Sequence, residues 1–427
     1  MRDIGSCHKK ILAGLMCLFA GVFSPQAASA ESAAGIESQH ISELRFEWET
    51  MPGAVQYEFV LLKGPENVKE NVLLRQRDIY TNGVDVEVSR FKDKIKDCYW
   101  KVCALDFHGN YMGSFTEPKP VEGAEVNPSA PKPTTEFEKM DYAPMYPVYS
   151  WIPQAGAKHH EVEVYRRSSG GDVHIRTLDA GEYDVYEYYG YTYPGQYYWR
   201  VRSVYPSGEK SSWSEPASFS IGGEPTPIAA LGDSITHGGG AVSVPPGYLM
   251  YDWETYCQVP VKNLGVSGNT TAAMLERFED DVLPWKPRLL VIMGGVNDFR
   301  AGTLGWETVQ NLSAISEKCH AYGIIPVFLT ATPINADYMV HRIAGIEVPP
   351  PDWQAHQRYV NDWILQQPYS VDVSSALTDG AGNLRGDYTS DGLHPDYFGK
   401  KYIGERVGAY LQQHFGWLTQ GLTKKSY

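Results

Sequence analysis

The sequence predicts a multidomain protein: two all-β sandwich modules, followed by an α/β domain whose parallel sheet is covered on both faces. Three observations predict this order. The first half carries an internal repeat of aromatic, β-branched strands. The second half alternates helix-like segments with short runs that are apolar throughout. A change of texture at Ile228, just after a Pro-rich stretch, separates the two.

The repeat is explicit. Phe46-Glu47-Trp48, followed by Pro52-Gly53-Ala54 and Tyr57-Glu58-Phe59-Val60, is echoed by Tyr149-Ser150-Trp151 with Gln154-Ala155-Gly156-Ala157 and Glu161-Val162-Glu163-Val164. Tyr99-Trp100-Lys101-Val102 is echoed by Tyr198-Trp199-Arg200-Val201. Period-2 alternation and bounding turn clusters mark antiparallel strands. Copies of about a hundred residues each have the size of a small β-sandwich. The early Trp and the late Tyr-Trp-basic-Val strand resemble fibronectin type III modules over roughly residues 40–221. Pro-rich linkers are expected at Asn127–Thr134 and Gly222–Pro227.

In the second half, Ile228–Leu231, Leu289–Met293 and Ile324–Leu329 read as buried strands. Helices are expected at Thr271–Val282, Trp306–His320, Gln354–Leu365 and Tyr397–His414. Such folds gather their chemistry at the carboxyl ends of the strands, which places the loops after Leu231, Leu264 and Met293 on one rim.

A chain of 427 residues suits roughly two to four domains. Hydrophobic content of 43% against 21% charged is globular composition. The aromatic share of 13% suits β-rich modules and sugar-facing surfaces. A net charge of −14 disfavours phosphate backbones and anionic lipid, so no nucleic acid partner and no membrane insertion are expected. Lys9-Lys10, an apolar run from Ile11 to Phe23 and Ala28-Ser29-Ala30 have the layout of a secretory signal peptide. The boundaries read as 1–30 signal peptide, 31–132 first module, 133–223 second module and 224–427 catalytic domain. The mature protein is expected to be secreted, periplasmic or at the cell surface. Cys98, Cys103, Cys257 and Cys319 form no disulfide framework or metal clip, and read as small buried hydrophobes.

Chemistry is suggested first by Gly232-Asp233-Ser234-Ile235-Thr236, which presents a Ser at a strand-to-helix turn. Asp391-Gly392-Leu393-His394-Pro395 supplies a base with an acid three positions earlier. His394 could take the Ser234 proton while Asp391 fixes its tautomer. The Ser234 N–H, the Gly265 N–H and the Asn297 amide are the candidate oxyanion donors. Taken singly, Gly-Asp-Ser, Gly265 and Asn297 are also ordinary turn residues. His237, directly after the nucleophile block, could line the pocket but reads first as a solvated loop residue, Asp298 as a support for Asn297, and His159-His160 as surface. The sequence holds no Gly-x-Ser-x-Gly elbow, His-Glu-x-x-His or Walker loop.

GDSIT, NLGVSGNT, GGVND and DGLHP occur in that order over roughly 160 residues, and this series resembles the SGNH (GDSL-like) hydrolases. The family letters fall on Ser234, Gly265, Asn297 and His394, with Asp391 as acidic partner. The resemblance implies a three-layer α/β/α flavodoxin-like catalytic domain and a mechanism with no metal and no cofactor. Export and two β-modules ahead of such a domain resemble bacterial carbohydrate esterases. The expected function is thus a secreted serine esterase, a carbohydrate O-acetylesterase, with an acylated (acetylated) carbohydrate as substrate. Two alternatives remain: an esterase or thioesterase for lipid-like acyl chains, and a glycan-binding surface protein with an inactive hydrolase domain. Asn335–Asp352, polar and Pro-rich, reads as a specificity loop without the apolar run of a lipase lid.

Overall fold

A computed structural model describes residues 41–135, 137–222, 226–238 and 248–425. The expected signal peptide, residues 1–30, lies outside the described residues, as does part of the second linker.

The first β region holds β1 (Glu43–Glu47), β2 (Gln56–Leu62), β3 (Val72–Ile79), β4 (Gly83–Glu87), β5 (Tyr99–Leu105), β6 (Lys119–Pro120) and β7 (Glu125–Val126). They pair as two antiparallel sheets, β4-β1-β7 and β3-β2-β5-β6. Alternate residues of both sheets, Phe46, Phe59 and Trp100 among them, meet in one core, with Phe46 and Phe59 rings 4.8 Å apart.

The second region repeats this plan. It comprises β8 (Lys132–Pro133), β9 (Val148–Ile152), β10 (His159–Arg166), β11 (Val173–Ala180), β12 (Asp184–Tyr186), β13 (Gly195–Val204) and β14 (Ala217–Ile221). The sheets are β12-β9-β8 and β11-β10-β13-β14. Trp100 of β5 and Trp199 of β13, matched in the sequence repeat, are both buried between sheets. The reading of His159-His160 as surface is corrected here. His159 is half-exposed, whereas His160 shares the inward face of β10 with Val162 and Val164 and is fully buried. Its Nδ1 donates to the Gly181 carbonyl at 2.9 Å.

A parallel sheet follows, with β15 (Ile228–Gly232), β16 (Lys262–Gly265), β17 (Leu289–Met293), β18 (Ile325–Leu329) and β19 (Ser370–Val371) in the order β16-β15-β17-β18-β19. Counted from β15, that is the flavodoxin-like order 2-1-3-4-5, and its switch point lies between β15 and β17. The helices are α1 (Ser234–His237), α2 (Thr271–Glu276), α3 (Phe278–Val282), α4 (Val296–Arg300), α5 (Gly305–Ala321), α6 (Ala336–Arg342), α7 (Trp353–Leu365), α8 (Tyr397–His414) and α9 (Gly416–Thr419). Leu290 and Ile292 face α2, α3, α5 and α7, while Leu289, Val291 and Met293 face α8. A strand buried on both sides has no polar face to show, which is why β17 is apolar throughout. The segment expected to be a loop at Asn335–Asp352 opens with α6 instead, because the Asn335 side chain accepts from the Tyr338 N–H and caps it.

The second β region is joined to the α/β domain by its core. Tyr149, Trp151 and Trp199 belong to the same apolar cluster as Leu231, Met274 and Phe278. Polar ties cross the same boundary: Met145 N–H to Asn263 O at 3.0 Å, and the Tyr146 hydroxyl to Asp281 at 2.8 Å. Cys98, Cys103, Cys257 and Cys319 are buried and carry no disulfide.

Candidate active site

Ser234 is the first residue of α1, at the carboxyl end of β15. Asp233 caps this single turn by accepting from the Ile235 N–H at 2.9 Å, so the serine projects from a fixed corner. The loop before α8 brings the other partners. His394 Nε2 lies 2.9 Å from Ser234 Oγ, and His394 Nδ1 lies 2.7 Å from Asp391 Oδ2. A carboxylate can only accept, so Nδ1 carries the proton and Nε2 is left to accept from the serine.

Asp391 is fully buried, and burial alone would push its pKa up. The His394 charge, the His394 ring bond and the His394 and Leu393 N–H groups overcome this and hold it below the usual carboxylate range. Its Oδ1 accepts both backbone N–H groups at 2.8 Å. Thr389 braces the loop, accepting from the Gly392 N–H at 2.9 Å and donating to the His394 carbonyl at 2.8 Å.

Asn297 sits in α4, beyond β17 and across the switch point. Arg300 Nε donates to its Oδ1 at 3.1 Å and so sets which way the amide faces; one Nδ2 proton goes to the Asn269 carbonyl at 2.9 Å. An NH2 group has two protons, so a second remains for a ligand. Asp298 supports the same corner from the α2 side, accepting the Thr271 N–H at 2.9 Å.

Gly265 is a correction. Its N–H already donates to Asn263 Oδ1 at 2.8 Å, and a Cβ there would strike the backbone of Thr236 and His237. The glycine is needed for close packing of β16 on α1 and has no spare donor. Gly268, three residues on, is exposed with φ +83° and open space around it. No hydrogen bond from its N–H is found among the described residues.

His237 is a second correction. It is fully buried rather than solvated: Nδ1 accepts from Ser267 N–H at 3.0 Å, and Nε2 donates to the Tyr146 carbonyl at 2.8 Å. Burial pushes its pKa down to about 4.

Sequence reasoning passed over three supporting residues. Arg277 donates to the Gly232 and Leu264 carbonyls, each at 2.8 Å, stitching the ends of β15 and β16. Asn263 Nδ2 holds the Thr236 carbonyl and Asp252. Lys400, buried in α8, donates to Ile235 O at 2.6 Å and Tyr251 O at 2.8 Å. Arg277 and Lys400 lie in no motif, and Asn263 opens NLGVSGNT without a chemical role read for it; the buried partners reveal what all three do. The described cleft of about 1180 Å³ lies elsewhere, between Trp48, Lys119 and Tyr256, and the Ser-His-Asp chain does not line it. Among the described residues no cluster of His, Cys, Asp or Glu is arranged to hold a metal, and no helix is long and apolar enough to cross a membrane.

A Ser-His-Asp hydrogen-bond chain at the carboxyl edge of a flavodoxin-like sheet is the arrangement of the α/β/α serine hydrolases. Residues 230–401 match the model of the GDSL-like lipase/acylhydrolase family, and the chain carries a domain of that family. It is 27% identical to Esterase TesA of Pseudomonas aeruginosa over 152 residues, covering 34% of this chain and 67% of that protein. It is 38% identical to the lipoprotein YqeF of Bacillus subtilis over 80 residues, covering 17% of this chain; this chain thus spans only 33% of that relative's length. Among solved structures, the lipase/acylhydrolase from Enterococcus faecalis aligns at 22% identity and a TM-score of 0.35, covering 44% of this chain and 95% of that one. An acetylxylan esterase from Geobacillus stearothermophilus aligns at 19% identity and a TM-score of 0.34, covering 44% and 95%.

Proposed function

We propose that the protein is a serine ester hydrolase acting through Ser234, His394 and Asp391. The observation that carries this reading is the unbroken chain from Ser234 Oγ through His394 to Asp391. Ser234 Oγ attacks the ester carbonyl carbon as His394 Nε2 takes its proton, with Asp391 steadying the imidazolium. The carbonyl oxygen becomes an oxyanion held by the Ser234 N–H, the Asn297 amide and, in place of Gly265, the Gly268 N–H. Collapse expels the alkoxide, which receives the proton from His394. Water repeats the cycle on the acyl-enzyme and regenerates Ser234.

The finer reading is an exported carbohydrate O-acetylesterase. It is supported by the β regions ahead of the catalytic domain, by the expected signal peptide, and by a 335–352 segment that opens on the polar helix α6 rather than an apolar lid. The test is hydrolysis of p-nitrophenyl acetate, butyrate and octanoate by the protein beside Ser234→Ala. The reading expects the steepest rate on acetate, and loss of it in the variant. Equal rates in both proteins would remove Ser234 as nucleophile. A preference for octanoate would instead favour an esterase of lipid-like chains.

A further inference from the structure

The second β region reaches the nucleophile's own helix. Tyr186, the last residue of β12, donates its hydroxyl to the Gly238 carbonyl at 3.2 Å, and its ring meets His237 edge-on at 5.2 Å between centroids. Gly238 closes α1 by donating to the Ser234 carbonyl at 3.2 Å, so Tyr186 is anchored one helical turn from the serine, about 6 Å of rise. Burial pushes the Tyr186 hydroxyl pKa up, with Asp184, Tyr188, Asp252 and Asp391 adding to it.

Beyond it the chain turns outward. Tyr188 is 62% exposed, with its ring 6.4 Å from His237, and Tyr189 is 47% exposed. The turn that presents them is rigid. Buried Glu187 accepts the Tyr189 N–H at 2.8 Å and pairs with Arg176 at 3.2 Å, and Tyr189 stands edge-on to buried Tyr191 at 5.1 Å. Two exposed tyrosines in succession, one with its ring 6.4 Å from His237 three residues after Ser234, offer a surface to a ligand. Each ring offers an apolar face and a polar tip. That matches a pyranose, which shows C–H groups on its faces and hydroxyls at its rim; an acyl chain would call for Leu, Ile or Phe, and the turn has none.

We propose that Tyr188 and Tyr189, on a turn anchored by Tyr186, form a saccharide-binding platform that holds the sugar chain of an acylated glycan beside Ser234, making the second β region part of the substrate site. The proposal rests on the esterase reading for the role of Ser234, but not for binding itself. Two measurements keep the two apart. Calorimetry with the Ser234→Ala protein is run on O-acetylated β-xylo-, β-manno- and β-gluco-oligosaccharides, with and without Tyr188→Ala and Tyr189→Ala. Kinetics in the Ser234 background compare the best-bound oligosaccharide with p-nitrophenyl acetate.

The platform expects affinity to weaken by roughly tenfold per tyrosine removed, on the scale of a lost aromatic contact. KM for the oligosaccharide should rise by the same factor, and kcat/KM for the oligosaccharide should fall by far more than kcat/KM for p-nitrophenyl acetate. Tyr188→Phe, which keeps the ring, should restore most of the binding. No binding by any oligosaccharide, or binding indifferent to both alanine changes, overturns the platform even if p-nitrophenyl acetate is cleaved. Sugar binding that depends on the tyrosines, in a protein inert to every ester, sinks the esterase reading and leaves the platform standing. A patch that instead mediates self-association would show as a tyrosine-dependent change in sedimentation with no sugar binding, and that too overturns it.

Discussion

Ser234 is 8% exposed and His394 4%, so the reactive atoms meet solvent through a narrow opening while Asp391 is sealed beneath them. In so dry a setting an oxyanion depends on protein donors rather than water. Asn297→Ala should therefore lower kcat by roughly a hundred- to a thousandfold, with KM little altered. Stopped-flow or steady-state turnover of p-nitrophenyl acetate measures this. His237 supplies a pH test. Its folded pKa of about 4 lies below the unfolded value of about 6.5, because burial disfavours the cation and the Arg277 and Lys400 charges add to that. The unfolded chain thus binds a proton first, and His237's contribution to stability is whole above about pH 6.5 and declines as pH falls toward 4. Urea unfolding across that window should lose about 1.4 kcal/mol per pH unit more in the parent than in His237→Gln. Parallel slopes would mean that His237 is protonated in the fold.

At the scale of elements, the site depends on one-turn and end-of-helix geometry. Asp396 caps α8, its side chain accepting from Phe398 N–H at 3.2 Å and Gly399 N–H at 3.5 Å, and the same residue ends the loop that bears His394. Without that cap the first turn frays, and α8 holds Lys400, which ties it to Ile235 next to Ser234. Asp396→Ala should cost about 1 kcal/mol. That is about 2–4 °C in melting temperature for a domain of this size, readable by calorimetry. Part of this architecture was legible beforehand: β17 and α8 come out close to where apolar runs and helical periodicity put them. The two-residue strand β19 and the short helix α4 were not, because elements of that length carry at most little more than one period of any pattern.

Across the whole molecule, two apolar clusters matter for assembly. The first β region has its own core, centred on Phe46, Phe59 and Trp100. The second shares a core with one face of the parallel sheet. Elements with a common core lose their packing together. Scanning calorimetry with parallel activity readings should show Trp199→Ala lowering the transition of the catalytic domain and the survival of activity by the same increment. Phe59→Ala should lower a separate transition and leave turnover at 25 °C as in the parent. Coincident shifts in both variants would mean that the chain unfolds as one unit.

The order of modules, the repeat and the strand and helix pattern are written locally, since periodicity and turn chemistry act over a few residues. Asp391 and His394 could be paired from the sequence because they are three apart, whereas it is the structure that brings Ser234 to them across the carboxyl edge of the sheet. Only the tertiary structure distinguishes Gly265, at the end of β16, from Gly268 in the loop beyond it. Gly265 and Gly268 are identical as letters, and differ in that a neighbouring amide has taken the N–H of the first. It likewise decided the fate of two histidines. His237 is held by Tyr146, 91 residues away, and His160 faces inward because the sheet register turns its side chain to the core. Burial and hydrogen-bond partnership are set by which distant segments come into contact, and no local pattern encodes that.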